Sequence, residues 1–159
     1  MTKFQTTLSI WKARNLTVFG KIQVLRSLAL PKLLYICKFF SVSEEFIQLV
    51  ENLTKDFVWN GKKPKIKYNT LIGDYAVGGM KAPDFRSTLK ANQVKMAIRL
   101  ILSEKNKTYL HVIPSIYIKN FGGFQNINNN FNQNSIPKNC PLFYQSVLKA
   151  WAEIGSKSK

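Results

Sequence analysis

Acidic residues are scarce in this chain. Eight Asp and Glu stand against 24 Lys and Arg, which gives a net charge of +16. No acid precedes Glu44, whereas Lys3, Lys12, Arg14, Lys21, Arg26, Lys32 and Lys38 all do. Asp56, Asp74 and Asp84 are isolated, and no Asp-Asp pair occurs. Two-metal phosphoryl chemistry needs carboxylates converging on ions about 3.5–4 Å apart. The sequence therefore offers no recognisable catalytic residue, no metal site and no polymerase or nuclease centre of its own.

Cysteine and histidine are nearly missing as well. Cys37 lies in an apolar run, Cys140 precedes Pro141, and neither has a CxxC or Cys/His spacing. We expect no zinc site, no disulfide framework and a reducing compartment, cytoplasmic or nuclear. The single histidine, His111, sits among Leu110, Val112 and Ile113 and reads as structural. No uncharged apolar run reaches the length of about 18 residues that a membrane span requires. Lys32 and Lys38 interrupt the best candidate, so no membrane partner is expected. Gly78-Gly79 has neither phosphate-loop spacing and reads as a tight turn, so no cofactor is expected.

Helical apolar periodicity overlaid with positive charge is what remains. Hydrophobic residues make up 45% of the 159, enough to bury a core. Phe4, Leu8 and Trp11 repeat at helical spacing. Thr17 can cap the next helix, whose stripe is Val18, Ile22, Leu25 and Ala29, with Lys21 and Arg26 flanking it and able to reach solvent or phosphate. Pro31 predicts an end or a kink before a second helix from Lys32 to Phe40. Ser41 with Glu44 fits a capping box, with Ser43 as a rival cap. Phe46, Val50, Leu53 and Phe57 then share a face, and Asn60-Gly61 closes that helix.

Lys62 to Asp84 is punctuated by Pro and Gly, and Ile66 with Tyr68 suggests a short β-hairpin near 64–82. Asp84 can cap a helix with Phe85, Leu89, Met96 and Leu100 on its apolar face, and Lys95 and Arg99 elsewhere on it. Residues 119–139 are Asn-rich and read as a loop or linker. A last helix begins at Pro141 and carries Tyr144, Val147, Leu148 and Trp151. The predicted fold is mainly α, a helical bundle of five or six helices with that one hairpin.

Lys62-Lys63-Pro64-Lys65-Ile66-Lys67 is the densest basic run. It reads as a solvated loop, a phosphate clamp or a nuclear-localisation signal. Trp59 and Tyr68 flank it and could stack on unpaired bases, although Trp59 also continues an apolar helix.

Three segments resemble a known family. WKARNLTVFGKIQVLRSLALPKLLY, FVWNGKKPKIKYNTLIGDYAVGGMKAPDF and FYQSVLKAW resemble the region that follows the catalytic palm in reverse transcriptases of non-LTR retrotransposons. The match covers about residues 5–103, with a weaker echo at 142–152. It rests on an ordered series: Trp-x-x-Arg-x-Leu-x-x-x-Gly-Lys, Leu-x-Lys-Leu-x-Tyr, Phe-x-Trp, then Gly-Gly-Met.

The resemblance implies a division into 1–14, the end of a palm-proximal helix, then 15–59, a thumb-like helical bundle, and 60–103, a connector. Residues 104–140 would be the linker and 141–155 the C-terminal helix. Trp11, Arg14, Leu16, Gly20, Lys21, Trp59, Gly78 and Gly79 carry over position by position. Such a thumb holds the backbone of a primer–template duplex, with Gly20 and Lys21 the best candidates for close approach. The fingers, the palm with its aspartates, an endonuclease domain and a Cys/His knuckle have no counterpart. We therefore expect a fragment of a longer reading frame, starting at an internal methionine and inactive alone.

The expected partners are RNA or an RNA–DNA duplex, and a separate palm and fingers polypeptide. The expected contact residues are Arg14, Gly20, Lys21, Arg26, Lys32, Lys62, Lys63, Lys65, Lys67 and Lys81. The rival expectation is a non-enzymatic scaffold whose basic surface binds an acidic protein. A bare apolar face at Val18, Ile22 and Leu25 would mark it.

Overall fold

The structure, a computed structural model, describes residues 2–106, 109, 112–119, 123, 136 and 138–155. His111 and most of the Asn-rich segment lie outside the described residues. The protein is mainly helical: α1 (Thr2–Lys12), α2 (Val18–Val24), α3 (Leu30–Ile36), α4 (Glu44–Trp59), α5 (Tyr68–Ile72), α6 (Phe85–Lys105), α7 (Val112–Ile118) and α8 (Leu142–Gly155). It divides into two compact units, one ending at Leu89 and the other beginning at Lys90.

Capping chemistry sets several boundaries of the first unit. Thr17 starts α2, its Oγ1 accepting from the Gly20 N–H at 3.2 Å. Ser43, the rival cap, starts α4 by accepting from the Phe46 N–H at 3.3 Å. Asn60 ends α4 in the left-handed region at φ 53°, and Gly61 follows at φ 74°. Asp84 Oδ2 accepts from the Ser87 N–H at 3.3 Å at the start of α6.

Pro31 does not end its helix. Between α2 and α3 the chain makes a π-helical turn, Leu25–Ala29, and the Leu30 N–H reaches back to Leu25 O. Pro31 then falls in the first turn of α3, where a missing N–H costs little. The widened turn inserts one residue into the helical count. At unbroken α spacing the stripe Val18, Ile22, Leu25, Ala29 would run on through Leu33 to Ile36. Instead Leu30 and Cys37 are buried beside Leu33, and Ile36 is 54% exposed.

Phe4, Leu8, Ile22, Leu25, Val50, Phe57, Leu71, Phe85 and Leu89 share the first core, with Trp11, Val18, Phe46, Leu53 and Trp59 packed against it. Arg86 holds α6 to α4 from outside, bidentate on Glu44 at 2.5 and 3.0 Å and 3.1 Å from Glu51. The second unit has its own core of Ala97, Leu100, Ile118, Val147 and Leu148, with Met96, Tyr144 and Trp151 against it. The helix α7, with Pro114 and Ile118 buried, was not singled out by periodicity.

The hairpin expected near 64–82 does not form, and no strand occurs among the described residues. Tyr68, Leu71 and Ile72 pack at helical spacing in α5, which prevails over the Ile66–Tyr68 alternation. A 3-10 turn, Tyr75–Val77, follows, with Asp74 Oδ1 accepting from the Ala76 N–H at 3.3 Å. The returning chain is tied to α5 directly. Met80 and Ala82 both donate to Leu71 O, at 3.1 and 3.0 Å, and Lys81 donates to Gly73 O at 3.0 Å.

Gly78 and Gly79 serve this return differently. Gly78 takes φ 76° in open space. Gly79 lies flush on Gly73, so that a Cβ there would come within 2.0 Å of Gly73 O.

Two outcomes follow from this packing. Gly79→Ala is expected to destabilise the first unit by more than Gly78→Ala. The former forces backbone apart, while the latter carries only the left-handed penalty of about 1–2 kcal/mol. Urea melts of the two variants test the order.

The second outcome concerns acid. Hydrogen bonding to Arg86 holds the Glu44 carboxyl below its ordinary 4.5. The resulting stability is present above that value and is lost as pH falls through the lower folded one. Arg86→Gln should be less stable at neutral pH and lose less between pH 4.5 and stronger acid, read by melts across that range.

Candidate nucleic-acid interface

The basic loop leaves α4 through two left-handed residues. After Asn60 and Gly61 the Lys62 N–H returns to Trp59 O at 3.0 Å, and the chain runs irregularly to α5. Lys62, Lys63, Lys65 and Lys67 are exposed, while Ile66 packs against the core between them. One apolar anchor thus fixes a segment whose charged heads stay in water. Among the described residues none of these four lysines joins an ion pair. Desolvating them against phosphates would break no existing bridge.

Trp59 and Tyr68, the aromatics flanking this run, both pack against the core. The Tyr68 hydroxyl donates to Pro83 O at 3.5 Å. Burial, with Asp84 and Glu51 nearby, pushes its pKa up to about 12. Lys55 covers the Tyr68 ring at 5.0 Å from the centroid.

Lys21 turns inward. Its side chain, on α2, is buried, and the ammonium donates to Val58 O at 3.1 Å and to Asn60 Oδ1 at 2.6 Å. A cation at the carbonyl end of a helix is favourable with respect to the helix dipole. Burial lowers the lysine pKa below its ordinary value; Lys12 adds repulsion and Asp56 opposes both. The side chain expected at a phosphate instead closes the end of α4.

The other expected contacts are dispersed. Arg14 is exposed and covers the Trp11 ring at 4.3 Å. Gly20 has room for a Cβ, with Leu16 and Thr17 no nearer than 3.5 Å, so packing does not demand glycine there. Lys32 is exposed and donates to Thr7 Oγ1 at 3.1 Å. Arg26 donates through Nη2 to Lys81 O. Lys81 pairs with Asp74 at 2.9 Å and lies 5.0 Å over the Tyr75 ring. The structure thus brings Arg26 and Lys81 together, and brings with them two aromatics that sequence reasoning missed, Phe19 and Tyr75.

Six of the eight acids are engaged. Asp56 pairs with Lys12 at 2.7 Å, Glu44 and Glu51 hold Arg86, Asp74 holds Lys81, and Glu153 holds Lys90. Asp84 caps α6. Lys38 in the first unit, and Lys95 and Arg99 in the second, are also exposed. Among the described residues no three His, Cys, Asp or Glu side chains group as metal ligands, and no helix is long and apolar enough to cross a membrane. No family model matches the chain.

Replacing Lys21 with Met leaves Val58 O and Asn60 Oδ1 without their donor. A stability loss of about 1–3 kcal/mol is expected, with duplex affinity in the folded variant reduced by less than when the loop lysines themselves are replaced. Chemical melts and a binding titration on the same sample check both halves.

Proposed function

We propose that the chain binds the backbone of a structured nucleic acid, RNA or an RNA–DNA duplex, with little base specificity. In this reading it serves as the thumb and connector part of a non-LTR retroelement RNA-directed DNA polymerase, whose catalytic palm lies on other sequence. The observation that carries the proposal is the exposed loop bearing Lys62, Lys63, Lys65 and Lys67, four cations with no ion pair among the described residues, in a chain of net charge +16. Phosphates release condensed counterions when lysines replace them, and that release supplies sequence-independent affinity. A-form helices favour this mode, because proteins read them through shape, phosphate and 2′-hydroxyl. The order of the four motifs supports the family assignment. Arg14, Arg26, Lys32 and Lys81 extend the contact set, and Lys21 supports it from within by fixing the end of α4.

A second reading, an interaction protein for an acidic partner, draws on a different observation. The Val18, Ile22, Leu25 face that would have marked it is taken up by the chain's own core. Tyr35, Phe39 and Phe40, however, are 64%, 60% and 64% exposed at the end of α3.

The decisive measurement is the salt dependence of duplex affinity. With Lys62, Lys63, Lys65 and Lys67 all changed to Gln, the slope of log K against log salt should become shallower by about 3–4, from roughly 0.9 per lost contact. An unchanged slope would remove the loop from the interface, and a flat response in the parent chain would remove backbone binding altogether.

A further inference from the structure

We propose that the Phe19–Tyr75 pair, with Arg26 and Lys81 beside it, is a stacking site for an unpaired base of single-stranded nucleic acid. This deepens the backbone-binding reading and rests on it. The two rings are almost parallel, 12° apart, with centroids 5.7 Å from each other. Even after pairing, Phe19 remains 45% and Tyr75 47% exposed. Ring surface of that kind gains by being covered, and a nucleobase covers it with a flat partner.

The site is built in advance of any ligand. Phe19 stands on α2, which Ile22 fixes in the core and Thr17 caps. Tyr75 stands on the turn that Asp74 caps. A platform already ordered loses little entropy on binding.

The charges beside the rings suit a nucleotide. Lys81 lies over Tyr75 with its ammonium 5.0 Å from the centroid, and Asp74 neutralises part of it at 2.9 Å. Among the described residues Arg26 makes one hydrogen bond, to Lys81 O, out of a fork of five N–H donors. Donors therefore remain for the phosphate attached to a stacked base. Lys81 itself holds a left-handed backbone at φ 49°, fixed by its own N–H to Gly73 O at 3.0 Å and by Arg26 at its carbonyl. A ring face has no hydrogen-bond code, so the site would accept any base.

The test compares three probes on the full chain by fluorescence anisotropy: a short oligo(rA), an abasic strand of equal length and charge, and a blunt RNA–DNA duplex. The oligo(rA) should bind about 5- to 150-fold tighter than the abasic strand, the range one stacked base provides. Phe19→Leu should abolish that preference and leave abasic and duplex binding in place. Phe19→Trp and Tyr75→Phe should retain it. Should Phe19→Leu lower the melting temperature, Tyr75→Leu carries the same expectation. Equal affinity of the parent chain for oligo(rA) and the abasic strand, or a preference that survives both leucine variants, overturns this inference alone. Failure to bind any of the three probes overturns it together with the backbone reading.

Discussion

The ammonium of Lys21 bridges Val58 O and Asn60 Oδ1, and through that bridge α2 fixes where α4 stops. Asn60 is then held in a left-handed conformation, Gly61 continues it, and the lysine-rich loop leaves in a set direction. A buried charge is tolerable only with partners for its donors, and here a helix end and an amide side chain supply two of them. The basic loop is thus positioned by a cation that it does not contain. The same bond joins two helices far apart in sequence, so folding of the first unit and presentation of its charge are coupled.

Much of this was legible before the fold was seen. Thr17, Asn60 and Asp84 announce helix ends because their side chains or left-handed backbone serve orphan backbone groups. Phe4, Ile22, Leu25, Val50 and Phe57 are buried as their spacing predicts. Three features were not legible, each for a stated reason. Helical spacing places Lys21 next to the buried stripe but does not say to which side its long stem turns. The π-turn is invisible to a pattern that assumes one period throughout. The Phe19–Tyr75 stack joins residues from separate elements, which only tertiary structure brings together. At 64–82, period two and period 3.6 compete over too few residues for pattern to decide.

The surplus of cations also shapes the fold locally. Carboxylates are few, and these side chains also use ring faces and carbonyls. Arg14 lies over Trp11, Lys55 over Tyr68 and Lys81 over Tyr75, while Arg26 and Lys21 take backbone oxygens. Such contacts soften self-repulsion without consuming charge, since π faces and carbonyls leave the net +16 intact. The long-range field that would draw in a polyanion is therefore preserved.

The widened turn at Leu25–Ala29 has a further consequence for how this sequence can change length. An extra residue rotates everything after it by about 100°. A one-residue deletion inside that turn would restore an unbroken α-helix and swing Ile36 towards the interior. The same rotation would carry the Cys37 thiol, whose pKa burial now raises, out towards electrophiles in the solvent. A deletion at this single spot therefore exchanges an aliphatic exterior for an exposed thiol.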